Sequence, residues 1–291
     1  MRRLFLAGAL VLAVLVPASS AVAAPHHPTG EFAQFGDCPL SRSSLDACLY
    51  AVTNSGSLTI GKKTTPIVNP VVLQGGLEYE EIFGPIQVSG AEDGNTLVKT
   101  PQPVPGGLAG IPAPASWPKF LRDLYEELIN SNGLTGINAT MELAAPATSI
   151  ELSAFNQLLQ TGTALKLPVK IKLENAFLGN NCYIGSNANP IVLKLTTGTT
   201  SPPSPNEPIT GYPGNATENA SGTLVTFNGT KLVDNAFAVP GASGCGGLFS
   251  LLVDPFVNSV VGVPSASGTN TAILESTLAL GEPNAVRASE P

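Results

Sequence analysis

Short runs of apolar residues alternate with polar ones along most of the chain, the pattern of half-buried β-strands. Leu49, Ala51, Leu58 and Ile60 follow it on either side of Thr53-Asn54-Ser55-Gly56, which reads as a hairpin turn. Ile171, Leu173, Tyr183 and Ile184 follow it around Gly179-Asn180-Asn181. Further strands are predicted over Ile67 to Leu73, Ile191 to Leu195, Ile137 to Leu143 and Thr271 to Leu278, with shorter ones at Leu97-Val98 and Leu232-Val233.

Two segments change period and predict helices. In the first, Ser116 is placed to cap and Pro118 suits the first turn. Trp117, Leu121, Leu124 and Leu128 fall on one stripe, opposite Lys119, Arg122, Asp123, Glu126 and Glu127, and Asn132-Gly133 ends the run. In the second, Leu248 to Val261 is apolar nearly all round with Pro255 inside. That predicts a kinked, more deeply buried helix.

The order of these elements is written twice. Ile60-Gly61 followed after four residues by Pro66-Ile67-Val68 returns as Ile184-Gly185 and Pro190-Ile191-Val192. Gly94, Leu97-Val98 and Val104-Pro105-Gly106 return at the same spacing as Gly229, Leu232-Val233 and Val239-Pro240-Gly241. Such collinear matches are the mark of an internal duplication. The expected fold is mainly β, sandwich or barrel-like, with two helices. It would be made of two degenerate tandem repeats, each several strands plus one helix. The predicted organisation is a signal peptide over 1–23, a flexible arm over 24–36, repeat halves over 37–146 and 147–282, and a tail over 283–291. The second half carries an expansion from Thr196 to Gly214, rich in Ser, Thr, Pro and Gly, expected as an exposed and mobile loop. Bare sheet edges on a half alone predict that the halves pack as one unit.

The N-terminus has the form of an export signal: Arg2-Arg3, an apolar run from Leu4 to Val16, and Ala21-Val22-Ala23 before the expected cut. The run falls short of the roughly 20 apolar residues that span a bilayer. Arg2-Arg3-Leu4-Phe5-Leu6 also resembles the core of a twin-arginine signal, although the strong apolar run favours general secretion. The mature chain is therefore expected to be secreted, with no transmembrane segment. Cleavage after Ala23 removes Arg2 and Arg3 and takes the formal charge from −7 to −9. So acidic a balance argues against nucleic acid as a partner.

Four cysteines remain, an even count that reads as two disulfides in an exported chain. Cys38–Cys48 would close a short local loop, and Cys182–Cys245 would tie a strand to the loop before the second helix. No close C-x-x-C pair supports a metal site, and no cofactor is indicated.

Candidate chemistry is sparse. His26 and His27 are the only histidines, and both sit in the arm, so a Ser-His-Asp or Cys-His centre has little to draw on. Ser116-Trp117-Pro118-Lys119 fits S-x-x-K but lacks the S-D-N and K-T-G partners, and a helix cap is the better reading. Gly241-Ala242-Ser243-Gly244-Cys245 misses the G-x-S-x-G spacing at Cys245. Acidic segments at Glu78-Tyr79-Glu80-Glu81 and Glu92-Asp93 do not match a calcium loop. One pair is sharper. Glu142 and Glu275 occupy matching strand positions of the two halves, and paired carboxylates at a shared cleft could hydrolyse a glycan. The plainer alternative places each on the polar side of an amphipathic strand.

The stretches Cys182-Tyr183-Ile184-Gly185-Ser186-Asn187-Ala188-Asn189-Pro190-Ile191-Val192 and Phe237-Ala238-Val239-Pro240-Gly241-Ala242-Ser243-Gly244-Cys245-Gly246-Gly247 resemble a group of secreted proteins of high-GC Gram-positive bacteria. The resemblance implies export and a bacterial source, and no activity. The leading expectation is a non-catalytic binding or structural protein with an extracellular or cell-envelope ligand. The alternatives are a carboxylate-dependent glycan hydrolase, and a carrier holding an apolar ligand in the β interior, the latter suggested by the low charge and large apolar fraction.

Overall fold

A computed structural model describes residues 26–79, 86–107, 116–125 and 136–291. The expected signal peptide, the second half of the first predicted helix and Glu80-Glu81 lie outside the described residues. In chain order the elements are β1 (Ala47–Ile60), β2 (Lys63–Pro66), β3 (Val71–Glu78), β4 (Ile86–Gly90), β5 (Pro101–Pro103), α1 (Lys119–Tyr125), β6 (Asn138–Leu143), β7 (Glu151–Leu152), α2 (Ala154–Leu159), β8 (Leu165–Glu174), β9 (Tyr183–Ile184), β10 (Ile191–Leu195), β11 (Asn215–Glu218), β12 (Leu224–Asp234), β13 (Ala242–Ser243), α3 (Ser250–Val261), β14 (Thr271–Gly281) and α4 (Pro283–Ala288). The fold is mainly β, as the alternation predicts, with two short helices, α2 and α4, beyond the two expected.

All the strands join one antiparallel sheet, in the order β11-β12-β14-β1-β3-β4-β7-β8-β6-β5. β10 pairs with β8 on the side opposite β6 and β7. Thr196, the residue after β10, then exchanges two backbone hydrogen bonds with Val233 of β12, each 2.9 Å. That contact closes β12-β14-β1-β3-β4-β7-β8-β10 into a ring, a barrel without a bare edge at the seam. Strands from the two ends of the chain are interleaved: β14 pairs with β1, and β6 pairs with β8. Val98 N donates to Val72 O at 2.8 Å, beside the bridge from Leu73 to Leu97. The ladders of β1 and β8 are not in corresponding register.

The turn expected at 53–56 is not there. β1 runs through it, and a bulge between Thr53 and Ser55 shifts its register against β14. Leu49, Ala51 and Thr53 face the barrel interior before the bulge, and Leu58 and Ile60 face it afterwards. The extra residue changes the phase of the alternation, which in the sequence looks like a turn. Gly56 is required here: its φ is +119°, and a Cβ would stand 2.0 Å from Ile273 O on β14. In the second half the expected turn is real, and β9 folds back on β8.

The arm from His26 onward and the tail are also folded. Residues 30–35 form a 3-10 helix with Phe32 and Phe35 buried. With Cys38, Cys48, Leu40, Leu224, Ala279 and Val286 of α4 they form a second, smaller core on the outer face of β1 and β14. His26 Nδ1 meets Glu290 Oε1 at 2.7 Å, which ties the two ends together. The 196–214 expansion begins buried, at Thr196, Thr197 and Gly198, and is held by bridges Thr199–Thr210 and Tyr212–Lys231. It is a pinned finger rather than a loose loop. The disulfides join Cys38 to Cys48 and Cys182 to Cys245, the pairing favoured from the spacing. Among the described residues no helix is long and apolar enough to cross a membrane.

α3 overturns the expectation of a buried helix. Val257 is fully buried, but Leu248 just before it and Leu251, Leu252 and Phe256 within it lie between 54% and 99% exposed. A sequence apolar all round does not say which face meets the core, and here one face only does. α1 and α2 likewise present Phe120 and Leu124, and Leu158 and Leu159, to the outside.

Candidate functional site

The barrel interior is hollow and apolar. A cavity of about 70 Å³ is walled by inward residues of β1, β3, β8, β12 and β14, among them Leu49, Leu73, Leu167, Leu232, Leu274 and Leu278. A second cavity of about 70 Å³ follows it, walled by Leu58 and Ile60 of β1, Lys63 and Thr65 of β2, Ile171 and Leu173 of β8, and Ala139 of β6. The two share Ile67, Val71 and Met141. A third, of about 40 Å³, continues from the first through Leu49, Leu152, Gln157 and Leu278. Strand alternation builds this lining: in β6 and β8 the odd-numbered residues face in. Ala51, Val71, Met141, Leu152, Leu232 and Leu278 face the interior yet remain only partly buried. The core is therefore not packed through to its axis, unlike the close-packed interiors usual for proteins.

Helices stand at both ends. α2 sits at one, with Ala154 and Gln157 against the cavities. Ser153 caps it by accepting Asn156 N, and left-handed Gln160 ends it. α3 sits at the other, and its Val260 and Val261 close the second cavity. Its start is held by Asp254, whose carboxylate accepts Gly244 N at 3.2 Å and Cys245 N at 2.8 Å. The β1–β2 turn docks on its C-terminal end, where Lys62 N donates to Val261 O at 2.7 Å.

The hydroxyls facing the first cavity bond protein groups. Thr53 and Ser276 hydroxyls bond each other at 2.8 Å, and Thr230 Oγ1 donates to Pro213 O at 3.1 Å. In the second, the Gln102 amide of β5 is spent on the β2–β3 connection: Oε1 accepts Val68 N and Asn69 N, and Nε2 donates to Asn69 O. Lys63 is different. Its Nζ donates to Gly107 O at 3.0 Å, and among the described residues no carboxylate lies within ion-pair distance of it. Burial lowers its pKa from the ordinary lysine value.

The carboxylates singled out from the sequence face away from this interior. Met141 lines the cavities, so its neighbour Glu142 points to the outer face, where Oε2 lies 3.8 Å from Lys170 Nζ. Lys170 also lies over the Tyr183 ring at 4.7 Å and donates to Asn187 Oδ1 at 3.0 Å. Leu274 and Ser276 line the first cavity, so Glu275 also points out and accepts from Ser55 Oγ at 2.7 Å. The two acids share no hydrogen-bond or ion-pair partner among the described residues.

The other motifs resolve into local structure. Lys119 pairs with Asp123 at 2.6 Å on exposed α1. Ser243 lies in β13, paired with Tyr183, and Cys245 is in its disulfide. Asp93 accepts Asn95 N at 2.7 Å in a turn, and Glu78 accepts the Ser89 hydroxyl and meets Arg42. Sequence reasoning did not single out Lys63. Its signal was parity: in the antiparallel β1–β2 pair, Lys63 faces Ile60 and Thr65 faces Leu58, so both share the inward side.

The sequence matches no known protein family, no curated protein and no solved structure.

Proposed function

We propose that this protein is a secreted, non-catalytic binding protein that carries an apolar ligand inside the barrel. The observation that carries the reading is the line of apolar cavities along the axis, walled by side chains that face inward yet stay partly uncovered. Apolar cavities of this kind stay dry and take apolar guests. The export signal in the sequence and the two disulfides fit an oxidising, extracellular setting. The hydrolase alternative loses its support, because Glu142 and Glu275 point away from the interior and each has its own partner.

The test is fluorescence of the neutral dye N-phenyl-1-naphthylamine with the mature protein, compared with Ala139→Phe, which fills the second cavity. Dye enhancement in the parent protein and its loss in a folded Ala139→Phe variant is the expected result. Equal enhancement in both would place the dye on the exposed helix faces and overturn the reading, as would no enhancement at all. Extraction of the protein purified from its native medium, followed by mass spectrometry, then identifies the guest.

A further inference from the structure

We propose that the guest is a single-chain anionic amphiphile, a fatty acid in chemical class, with its carboxylate paired to Lys63 and its tail along the barrel axis. This rests on the carrier reading above and specifies its ligand. Three features of the interior select that class.

The first is shape. The cavities adjoin, sharing Ile67, Val71 and Met141 between them. A flexible linear chain can follow adjoining rooms of this size, and Met141, shared by both, is the kind of side chain that yields to it. A rigid, fused-ring guest would need a wider room. The second is the distribution of polarity. Along the first cavity the hydroxyls of Thr53, Ser276 and Thr230 and the amide nitrogen of Gln157 bond protein groups, and the rest of the wall is apolar, which suits a tail.

The third is Lys63. It sits on the inward side of β2, at the end of the second cavity closed by α3. Its ammonium has three donors, and one is used, on Gly107 O. Among the described residues it has no acidic partner, and burial works against its charge. A carboxylate entering beside it would gain a charge-assisted hydrogen bond and relieve that cost. The position is fixed by the docked turn: Lys62 N bonds Val261 O, and Gly61 N bonds Asn270 Oδ1 at 3.0 Å.

The experiment measures dodecanoate and its methyl ester by calorimetry against the full mature chain and against Lys63→Met, Lys63→Gln and Lys63→Arg. Circular dichroism checks each fold. The ester keeps the tail and removes the charge. Expected is tighter binding of dodecanoate than ester by the parent protein. Loss of that preference in Lys63→Met or Lys63→Gln should cost dodecanoate roughly ten- to a hundredfold in affinity and leave the ester unchanged. Lys63→Arg should retain most of the preference. If acid and ester bind alike, with and without Lys63, the head-group assignment fails and the carrier reading survives. If neither binds the parent protein, the carrier reading itself fails.

Discussion

At the scale of single residues, the outer wall and the inner wall of the barrel use charge in opposite ways. Outside, on β8, Lys172 Nζ lies 2.9 Å from Glu174 Oε1, and Thr140 donates to Glu174 Oε2 at 2.9 Å. The Lys172 hydrogen bond is the main force holding the Glu174 carboxyl below its ordinary range, against some desolvation. Its folded-state pKa lies below the unfolded one, so this stabilisation is present above the unfolded pKa and is lost as pH falls through the depressed value. An NMR titration should place Glu174 below an ordinary glutamate, and Lys172→Met should move it back up. An unchanged titration in that variant would show that the pair does not control it. On the inward side, half-buried Lys63 donates to Gly107 O and has no acidic partner among the described residues. Neither role was legible from residue type. Both follow from strand parity, which depends on where each hairpin turns and where each bulge falls.

At the scale of elements, the strands with clean alternation and the two longer helices were legible, because period alone marks them. What escaped was whichever feature needs a partner to define it. The phase change at Thr53-Asn54-Ser55-Gly56 has the composition of a turn, and only β14 alongside makes it a bulge. The apolar residues of α3 outnumber its polar ones so far that they predict burial all round, and only the packing shows that one face meets the core. The cysteines were easier, since loop length alone ranks their pairings. Loop length also sets what each disulfide contributes. Cys38–Cys48 closes a separation of 10 residues and Cys182–Cys245 one of 63. The chain-entropy estimate is about 3 kcal/mol for the first and about 4 kcal/mol for the second. Denaturant unfolding of the Cys→Ala double variants should therefore show the larger loss at Cys182–Cys245. The reverse order would mean that the small outer core around Cys48 depends on its disulfide more than the loop argument allows.

At the scale of the whole molecule, ring closure and hollowness belong together. The seam at Thr196 and Val233 lets the wall stand as a closed ladder, so the axis need not be filled to hold the sheet in place. No local pattern in the sequence announces this, because the contact joins residues far apart in the chain. The consequence is a trade between stability and binding. In a packed core, enlarging an inward residue strains its neighbours and costs about 1–3 kcal/mol. Here Ala139 faces a cavity of about 70 Å³, so Ala139→Leu adds methyl groups to empty space. The free protein should gain about 0.5–2 kcal/mol, the usual return for filling a cavity. A guest at a hundred times its Kd raises the stability of the parent protein by about 2.7 kcal/mol, and the variant, with its room partly taken, should show a smaller rise. Thermal unfolding with and without dodecanoate reads both effects at once. Ala139→Leu should melt higher than the parent when empty and shift less when the ligand is added. A variant that melts lower when empty would mean that the axis is packed after all, and that the inward side chains of this barrel are simply its core.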